Sequence, residues 1–147
     1  MEGNWVNPNR LINAYGHSPY DPTHELKILG TVRPARPAGL SASAVYRFIS
    51  GQTWERLVVV RDLSPRPRIR VEPTGSRRLD PESMLDLRIE QAWPVTALGR
   101  VAIYVDALNF MNRGVAKSVY GVSGSSFGEP MAWSDPRTVR VGGRLAF

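Results

Sequence analysis

Arg137-Thr-Val-Arg-Val-Gly-Gly-Arg-Leu-Ala-Phe147 is the stretch of the chain that most clearly predicts its fold. Every second residue from its end is apolar or glycine: Phe147, Leu145, Gly143, Val141 and Val139. The residues between them are small, polar or cationic: Ala146, Arg144, Gly142, Arg140 and Thr138. Because successive side chains of a strand point to opposite faces, the stretch predicts a β-strand with one apolar and one cationic face.

The same alternation fits a half-buried strand of a soluble sheet and a strand of a membrane barrel. Phe147 is in register with the apolar face at the chain end. This resembles the closing strand of bacterial outer-membrane β-barrels, which ends in Phe and is read by the barrel assembly machinery. The resemblance implies an assembly signal made of Phe147, Leu145, Val141 and Val139.

Length and composition leave a small set of protein classes. The 147 residues suffice for one domain, or for about the smallest complete membrane barrel, with roughly eight strands. No run of 18 or more apolar residues occurs, which excludes a helical membrane protein. The 13 glycines and 12 prolines fit a turn-rich all-β chain.

The net charge of +6 would suit an anionic partner. The arginines are nevertheless spread along the chain without the interleaved aromatic residues of a nucleic-acid site, so we expect no nucleic-acid partner. The chain has no cysteine, which excludes disulfides and thiolate metal sites. His17 and His24 lie near Asp21 and Glu25 but lack a convincing third ligand, so we predict no metal and no cofactor.

Residues 1–23 are rich in turn-forming residues and predict a loop. They contain neither the basic segment nor the apolar segment of a secretory signal peptide. Because an outer-membrane protein must first cross the inner membrane, a barrel interpretation predicts that the chain lacks its true beginning.

Four earlier segments repeat the alternation of the closing stretch. They are His24–Arg33, Leu40–Ser50, Ser83–Trp93 and Arg100–Asn112. Charged residues on the face opposite the apolar one suit a wet barrel lumen, where they can pair with neighbours. The predicted lumen-facing residues are Asp86, Arg88, Glu90, Asp106, Arg140 and Arg144, and the predicted aromatic residues of the membrane interface are Tyr46, Phe48, Trp93 and Tyr104.

The connections alternate between long and short. Residues 34–39 and 94–99 predict short turns, whereas 51–82 and 113–136 predict long loops, the first of them proline- and arginine-rich with an extended piece at Leu57–Val60. Outer-membrane barrels have short periplasmic turns and longer extracellular loops. The sequence thus predicts an all-β chain in which an antiparallel meander of about five long strands forms part of a transmembrane β-barrel with long extracellular loops.

Several segments resemble the C-terminal part of TonB-dependent outer-membrane receptors, especially the Oar-like group with a carboxypeptidase-regulatory-like domain. They are Asp21-Pro-Thr-His-Glu-Leu-Lys27, Tyr46-Arg-Phe-Ile-Ser-Gly-Gln52, Gly75-Ser-Arg-Arg-Leu79, Leu85-Asp-Leu-Arg-Ile-Glu90, Tyr104-Val-Asp-Ala-Leu-Asn-Phe-Met-Asn112, Ser126-Phe-Gly-Glu-Pro130 and Asp135-Pro-Arg137, followed by the closing strand. Their order and spacing extend over nearly all of residues 1–147.

The resemblance implies a cell outer membrane of a Gram-negative bacterium and a barrel of 22 strands filled by an N-terminal plug. The implied partners are the remainder of the barrel and plug, outer-membrane lipid and lipopolysaccharide, the assembly machinery and, through the plug, the TonB complex. The chain shows no plug and only about five lipid-facing strands. We therefore expect a C-terminal barrel fragment of an active-uptake transporter that does not transport alone.

Catalytic motifs are not convincing. Gly124-Ser-Ser-Phe-Gly128 fits a nucleophile elbow, but both histidines lie upstream and Pro130 follows in a Gly/Ser loop. No Gly-rich turn is followed by Lys-Ser or Lys-Thr, as a phosphate-binding loop requires. Asp86 and Glu90 are better explained as charge-paired lumen residues than as a catalytic carboxylate pair. We expect no enzyme.

Two alternatives stay open. One is a small soluble basic β-sandwich or open barrel that binds an anionic partner, in which the apolar faces close on each other. The other is a complete small barrel that uses Leu57–Val60 and Ile69–Glu72 as extra strands. A membrane segment requires instead that the apolar face of every strand be left uncovered by the chain.

Overall fold

The computed structural model describes residues 8–18, 21–62, 64, 66–95 and 99–147. In these ranges the chain is all-β, with one turn of 3-10 helix at Pro8–Leu11 and no α-helix. The strands, in chain order, are β1 (Glu25–Val32), β2 (Leu40–Ile49), β3 (Thr53–Trp54), β4 (Leu57–Val59), β5 (Arg68–Arg70), β6 (Arg77–Arg78), β7 (Glu82–Val95), β8 (Gly99–Leu108), β9 (Ala116–Val119), β10 (Pro130–Trp133) and β11 (Thr138–Ala146).

The chain divides into two compact units. One, here called the sheet unit, comprises Glu25–Ile49, Glu82–Gly114 and Asp135–Phe147. The other, here called the loop unit, comprises Met1–His24, Ser50–Pro81 and Val115–Ser134. Each unit is formed from segments that are distant in sequence.

The sheet unit consists of the five long strands in one antiparallel sheet. Their order is β1-β2-β7-β8-β11, so each long strand pairs with the long strand before it. The predicted five-stranded antiparallel meander is confirmed. β7 continues to Val95, beyond the predicted end at Trp93, and the remaining part of the predicted second short turn, 96–98, lies outside the described residues.

The register of the sheet fixes which residues share a face, because directly paired residues point the same way. One continuous row of partners crosses all five strands and is apolar: Val32, Ala42, Ile89, Val105 and Val141. The next row lies on the opposite face and is polar: Thr31, Ser43, Arg88, Asp106 and Arg140. The alternation that the sequence shows in each strand is therefore aligned across the whole sheet.

The first short turn, residues 33–39, is held against β7. Gly39 has φ +85°, and a Cβ at this position would overlap the carbonyl oxygen of Ala92. The Ala92 amide donates to the Gly39 carbonyl at 2.9 Å, and the Gln91 side-chain amide donates to the Ala38 carbonyl at 2.9 Å. Glycine is thus required here by both backbone conformation and close approach.

The loop unit contains short ladders in the segments predicted as long loops. β3 pairs with β6, β4 with β5, and β9 with β10, each as a separate two-stranded sheet. β4 and β5 do not join the five-stranded sheet, so the complete small barrel that recruits Leu57–Val60 and Ile69–Glu72 is wrong. Pro65, one of the prolines of this segment, and residues 1–7 of the predicted N-terminal loop lie outside the described residues.

Few hydrophobic residues of the described ranges are fully buried. In the described part of the chain, Ala102 is the one buried hydrophobic residue, at 3% exposure. Four polar residues of the described ranges are also buried: Thr53, Ser83, Asn109 and Ser134. A water-soluble domain of this length ordinarily buries a sizeable hydrophobic core, and the described residues do not form one.

Candidate functional site

The apolar face of the sheet unit is uncovered. Val141 is 74% exposed, Val32 67% and Ile89 58%, although these residues lie in the row that crosses the middle of the sheet. Other large apolar side chains of the same face are also exposed: Leu26, Ile28, Trp93, Ile103, Val105, Val139 and Leu145. A contiguous apolar surface of this kind marks a contact with protein, ligand or membrane.

Aromatic residues lie toward both ends of this face. Tyr46 pairs with Leu85, and Phe48 with Ser83, near the ends of β2 and β7 that lead into the long connections. Trp93 pairs with Val101 at the opposite end. From Leu85 to Trp93 the strand advances about 26 Å at roughly 3.3 Å per residue. This length is close to the height of the apolar band of an outer-membrane barrel.

The exposed residues that were predicted as an assembly signal lie on the same face, at the edge strand. Val139, Val141 and Leu145 pair with Ala107, Val105 and Val101 of β8. Phe147 follows β11 and is fully exposed. Whether an assembly machinery reads them stays a prediction.

The opposite face carries paired charges. The Arg88 guanidinium donates to both carboxylate oxygens of Asp106, from Nε at 2.5 Å and from Nη2 at 2.8 Å. Arg140 is the register partner of Asp106 on the other side. Two cationic side chains thus flank one carboxylate, and the two-point geometry of the Arg88 contact is the strong form of such an ion pair.

Tyr104 joins this charged cluster. The Arg88 guanidinium lies 4.4 Å from the centre of the Tyr104 ring, and Tyr104 pairs with Gly142. A Cβ at Gly142 would overlap that ring, so glycine leaves the space the ring occupies. Tyr104 therefore lies on the polar face, whereas Tyr46, Phe48 and Trp93 lie on the apolar one.

Of the remaining predicted lumen-facing residues, Glu90 accepts from the Arg144 guanidinium at 2.6 Å. Asp86 has a different contact, since its Oδ1 accepts from the Asn109 backbone N–H at 2.8 Å. The ion pairs described on this face thus join β7 to β8 and to β11. The β1–β2 side has a hydroxyl pair, Thr31 and Ser43, at 3.0 Å.

The turn that follows β8 depends on two asparagines. Asn109 is buried with φ 46°, and its side-chain amide donates to the Asp135 carbonyl at 2.8 Å and to the Arg113 carbonyl at 3.3 Å. Asn112 has φ 51° and accepts from the Arg137 N–H at 3.0 Å. Sequence reasoning missed this site, although two asparagines three apart at a strand end are a signal for left-handed turn positions.

The loop unit is stabilised by arginines stacked on aromatic rings. The rings of Trp54 and Phe127 are 5.6 Å apart, and the Arg56 guanidinium lies 4.7 Å from the Phe127 centre. The Arg77 guanidinium lies 5.4 Å from both ring centres and forms an ion pair with Glu72 at 2.6 Å. Hydrogen bonds from Arg77 lower the pKa of the Glu72 carboxyl from 4.5 to about 2. Part of the arginine-rich segment is therefore structural.

Searches for related proteins identify no family. Neither family models, nor curated proteins, nor solved structures gave a match to the chain. Within the described ranges, no helix has the length and apolar character needed to cross a membrane. The same ranges contain no cluster of three His, Asp or Glu side chains suited to hold a metal ion.

Proposed function

We propose that the sheet unit is a segment of a transmembrane β-barrel wall, with its apolar face toward lipid and its charged face toward the lumen. One observation carries this proposal: the five strands share a continuous apolar face that is exposed at its centre, while the other face carries paired charges. Lipid would cover the first face, and water in a lumen would solvate the second.

The free energy of burying apolar side chains favours lipid over water as the environment of the apolar face. Completing the burial of the half-exposed valines, leucines and isoleucines of the apolar face would gain on the order of 10 kcal/mol. That is comparable to the whole stability of an ordinary domain. A bilayer provides this burial without a second protein layer.

The main alternative, a soluble β-sandwich, requires a second sheet on the same face. The described strands of the sheet unit all belong to one sheet, so the unit does not close its apolar face on itself. The charged face is equally unsuited to be the inside of a sandwich, because buried ion pairs are weakly stabilising at best.

The open edges imply partners of a specific kind. In the described sheet, β1 and β11 each have one neighbour. Unpaired backbone groups at such edges are costly in hydrocarbon, so a membrane sheet needs further strands on both sides. The remainder of a barrel supplies them, and the chain alone is not competent for transport.

The finer assignment is that this barrel belongs to a TonB-dependent receptor of the outer membrane, of which residues 1–147 form a C-terminal part. It is supported by the order and spacing of the resembling segments in the sequence. Lipid and lipopolysaccharide, a plug, the assembly machinery and the TonB complex are the partners proposed with it. An in-frame plug and signal peptide in the genomic sequence upstream of residue 1 are expected, and a promoter in their place would contradict the receptor assignment.

Tryptophan quenching in micelles tests the membrane proposal directly. Variants of the full chain that retain one of the four tryptophans, with the others changed to Phe, are folded in micelles that contain a brominated detergent. We expect strong quenching of Trp93, on the apolar face, and weak quenching of Trp54, whose ring packs on Phe127 in the loop unit. Equal quenching of both, or a cooperatively folded monomer in detergent-free buffer, would contradict the proposal.

A further inference from the structure

The loop unit has an open cleft of about 800 Å³, the size of a small-molecule site. Arginines and hydroxyl-bearing side chains line it. The side chains that define its chemistry are Arg61, Arg66, Tyr120, Ser125, Ser126 and Glu129. The cleft lies wholly within the loop unit, so its existence does not depend on the membrane proposal.

Arg61 and Arg66 differ from three arginines of the loop unit whose guanidinium groups are held by other side chains. Arg56, Arg70 and Arg77 each donate to a side-chain oxygen: those of Ser123, Glu55 and Glu72. In the described part of the chain, the guanidinium groups of Arg61 and Arg66 have no hydrogen-bond or ion-pair partner, and both residues are exposed. Two cationic groups at one cleft, without protein carboxylates bound to them, are suited to an anionic ligand.

The rest of the lining restricts the class of anion. Ser125 and Ser126 offer hydroxyls that both donate and accept, whereas the Glu129 carboxylate only accepts hydrogen bonds. A carboxylate repels a bare anion but binds the hydroxyl groups of a ligand that has them. The Tyr120 ring, 40% exposed at the same cleft, offers a flat apolar surface of the kind that packs on a sugar ring.

We infer that this cleft binds a phosphorylated saccharide. A phosphate monoester carries close to two negative charges at neutral pH, which matches the two guanidinium groups, and the sugar hydroxyls match Glu129 and the two serines. The phosphorylated sugar is either a free metabolite or the headgroup of a lipid, since both present the same chemistry to the cleft.

Calorimetric titration of the full chain in micelles tests the inference, with glucose 6-phosphate, inorganic phosphate and sucrose as probes. We expect glucose 6-phosphate to bind about tenfold more tightly than inorganic phosphate, because only the sugar phosphate offers sugar hydroxyls to Glu129 and the serines. We expect no heat from sucrose, which lacks the anionic groups. Equal affinity for sucrose, or no binding of any probe, would overturn the inference.

A charge-matched pair of double variants locates the site. Arg61→Gln with Arg66→Gln should weaken glucose 6-phosphate binding at least tenfold, because the charge-assisted hydrogen bonds of both guanidinium groups to the phosphate are lost. The control is Arg10→Gln with Arg68→Gln, which removes the same charge from a smaller cavity of about 510 Å³ in the same unit. The control should stay within about twofold of the unmodified chain. Equal losses in both variants would show general charge attraction and contradict the cleft assignment.

Glu129→Gln separates saccharide recognition from anion binding. It should strengthen binding of inorganic phosphate, because a repulsive charge is removed, and thereby reduce the ratio of the glucose 6-phosphate affinity to the inorganic phosphate affinity. An unchanged preference would contradict the role of Glu129.

Titration with the water-soluble, deacylated phosphorylated glucosamine disaccharide distinguishes the two ligand sources. Tighter binding of the singly phosphorylated form of this disaccharide than of glucose 6-phosphate identifies a lipid headgroup, and the reverse order identifies a free metabolite. If no probe binds, the expected quenching of Trp93 is unaffected. The cleft inference and the membrane proposal can therefore be refuted independently.

Discussion

Asn109 connects the end of β8 to the segment that leads into β11. Its side-chain amide is the donor for the carbonyls of Asp135 and Arg113, and its backbone N–H binds Asp86. Asn109→Ala removes the side-chain amide that makes these two hydrogen bonds. It also leaves alanine at φ 46°, where alanine has no polar side chain to offset the backbone strain. We expect a loss of about 2–4 kcal/mol of unfolding free energy, measured by denaturant titration in micelles.

The control for this prediction is Asn109→Gly, which tolerates the left-handed backbone conformation but also lacks the amide. It should lose less stability than Asn109→Ala, because glycine adopts a positive φ without the strain that alanine meets. Identical losses for both variants would show that the positive φ costs nothing at this position.

We expect the stability of the loop unit to depend on pH through the Glu72 carboxyl group. Its folded pKa of about 2 lies below the ordinary value of 4.5, because Arg77 hydrogen bonds favour the charged form. A carboxyl group whose pKa is lowered by folding stabilises the folded state fully at pH values above its pKa in the unfolded chain. This stabilisation is lost as the pH falls through its pKa in the folded chain. The stabilisation should therefore be present above about pH 5.5 and disappear between pH 4.5 and about 2.

The measurement is the carbon-13 titration of the Glu72 carboxyl, together with urea unfolding of Glu72→Gln and the unmodified chain. The stability difference between the two chains should be constant at neutral pH, shrink in acid, and weaken in high salt, because Arg77 is partly exposed. A Glu72 midpoint near 4.5 would show that the ion pair is not maintained in solution.

At the scale of the strand, we expect an added arginine to have different effects on stability at the two faces of β11. Val141 lies on the apolar face at the middle row of the sheet, and Thr138 lies on the other face. Val141→Arg should cost about 2–4 kcal/mol in micelles or bilayer, because a cation then faces hydrocarbon. Thr138→Arg introduces the same charge on the same strand and should be close to neutral.

Water-exposed strands would behave differently. Val141 is already 74% exposed, and surface substitutions normally change stability by no more than about 0.5 kcal/mol. Equal small effects for both variants would therefore indicate that the apolar face is in contact with water and not with lipid. The comparison is made by denaturant titration under identical detergent conditions.

The five long strands could be predicted from sequence because their signal is local. An alternation of period two over eight or more residues, as in Thr138 to Phe147, fixes both the strand and its faces without knowledge of any partner. The turn after residue 33 was equally readable from its prolines and from Gly39. These features were therefore predicted to within a few residues.

The loop unit could not be predicted in the same way. β3 and β6 are two residues long, and their pairing joins Thr53 to Arg78. The stacking of Trp54 on Phe127 joins residues still farther apart in the chain. Such contacts leave no periodic pattern, because each depends on where the tertiary structure places the partner. The cleft lined by Arg61, Arg66 and Glu129 has the same origin.

At the scale of the whole molecule, the uncovered apolar surface governs solubility. Ala102 is the one buried hydrophobic residue among those described, and Val32, Val139 and Val141 of the sheet unit are each more than 60% exposed. A net charge of +6 opposes association but does not cover this surface. The chain should therefore self-associate in detergent-free buffer, and detergent that covers the apolar face should reduce this association.

Two triple variants test whether the exposed apolar face or the net charge of the chain controls self-association. Val32→Lys, Ile103→Lys and Val141→Lys place three cations on the apolar face, each at an exposed side chain. Thr31→Lys, Ser43→Lys and Thr138→Lys add the same charge to the opposite face, where all three residues lie by register. Only the first set should reduce association in detergent-free buffer, as measured by sedimentation velocity. Equal effects of both sets would attribute association to net charge, and a monodisperse unmodified chain in plain buffer would contradict a lipid-facing sheet, since its apolar face would then be stable in water.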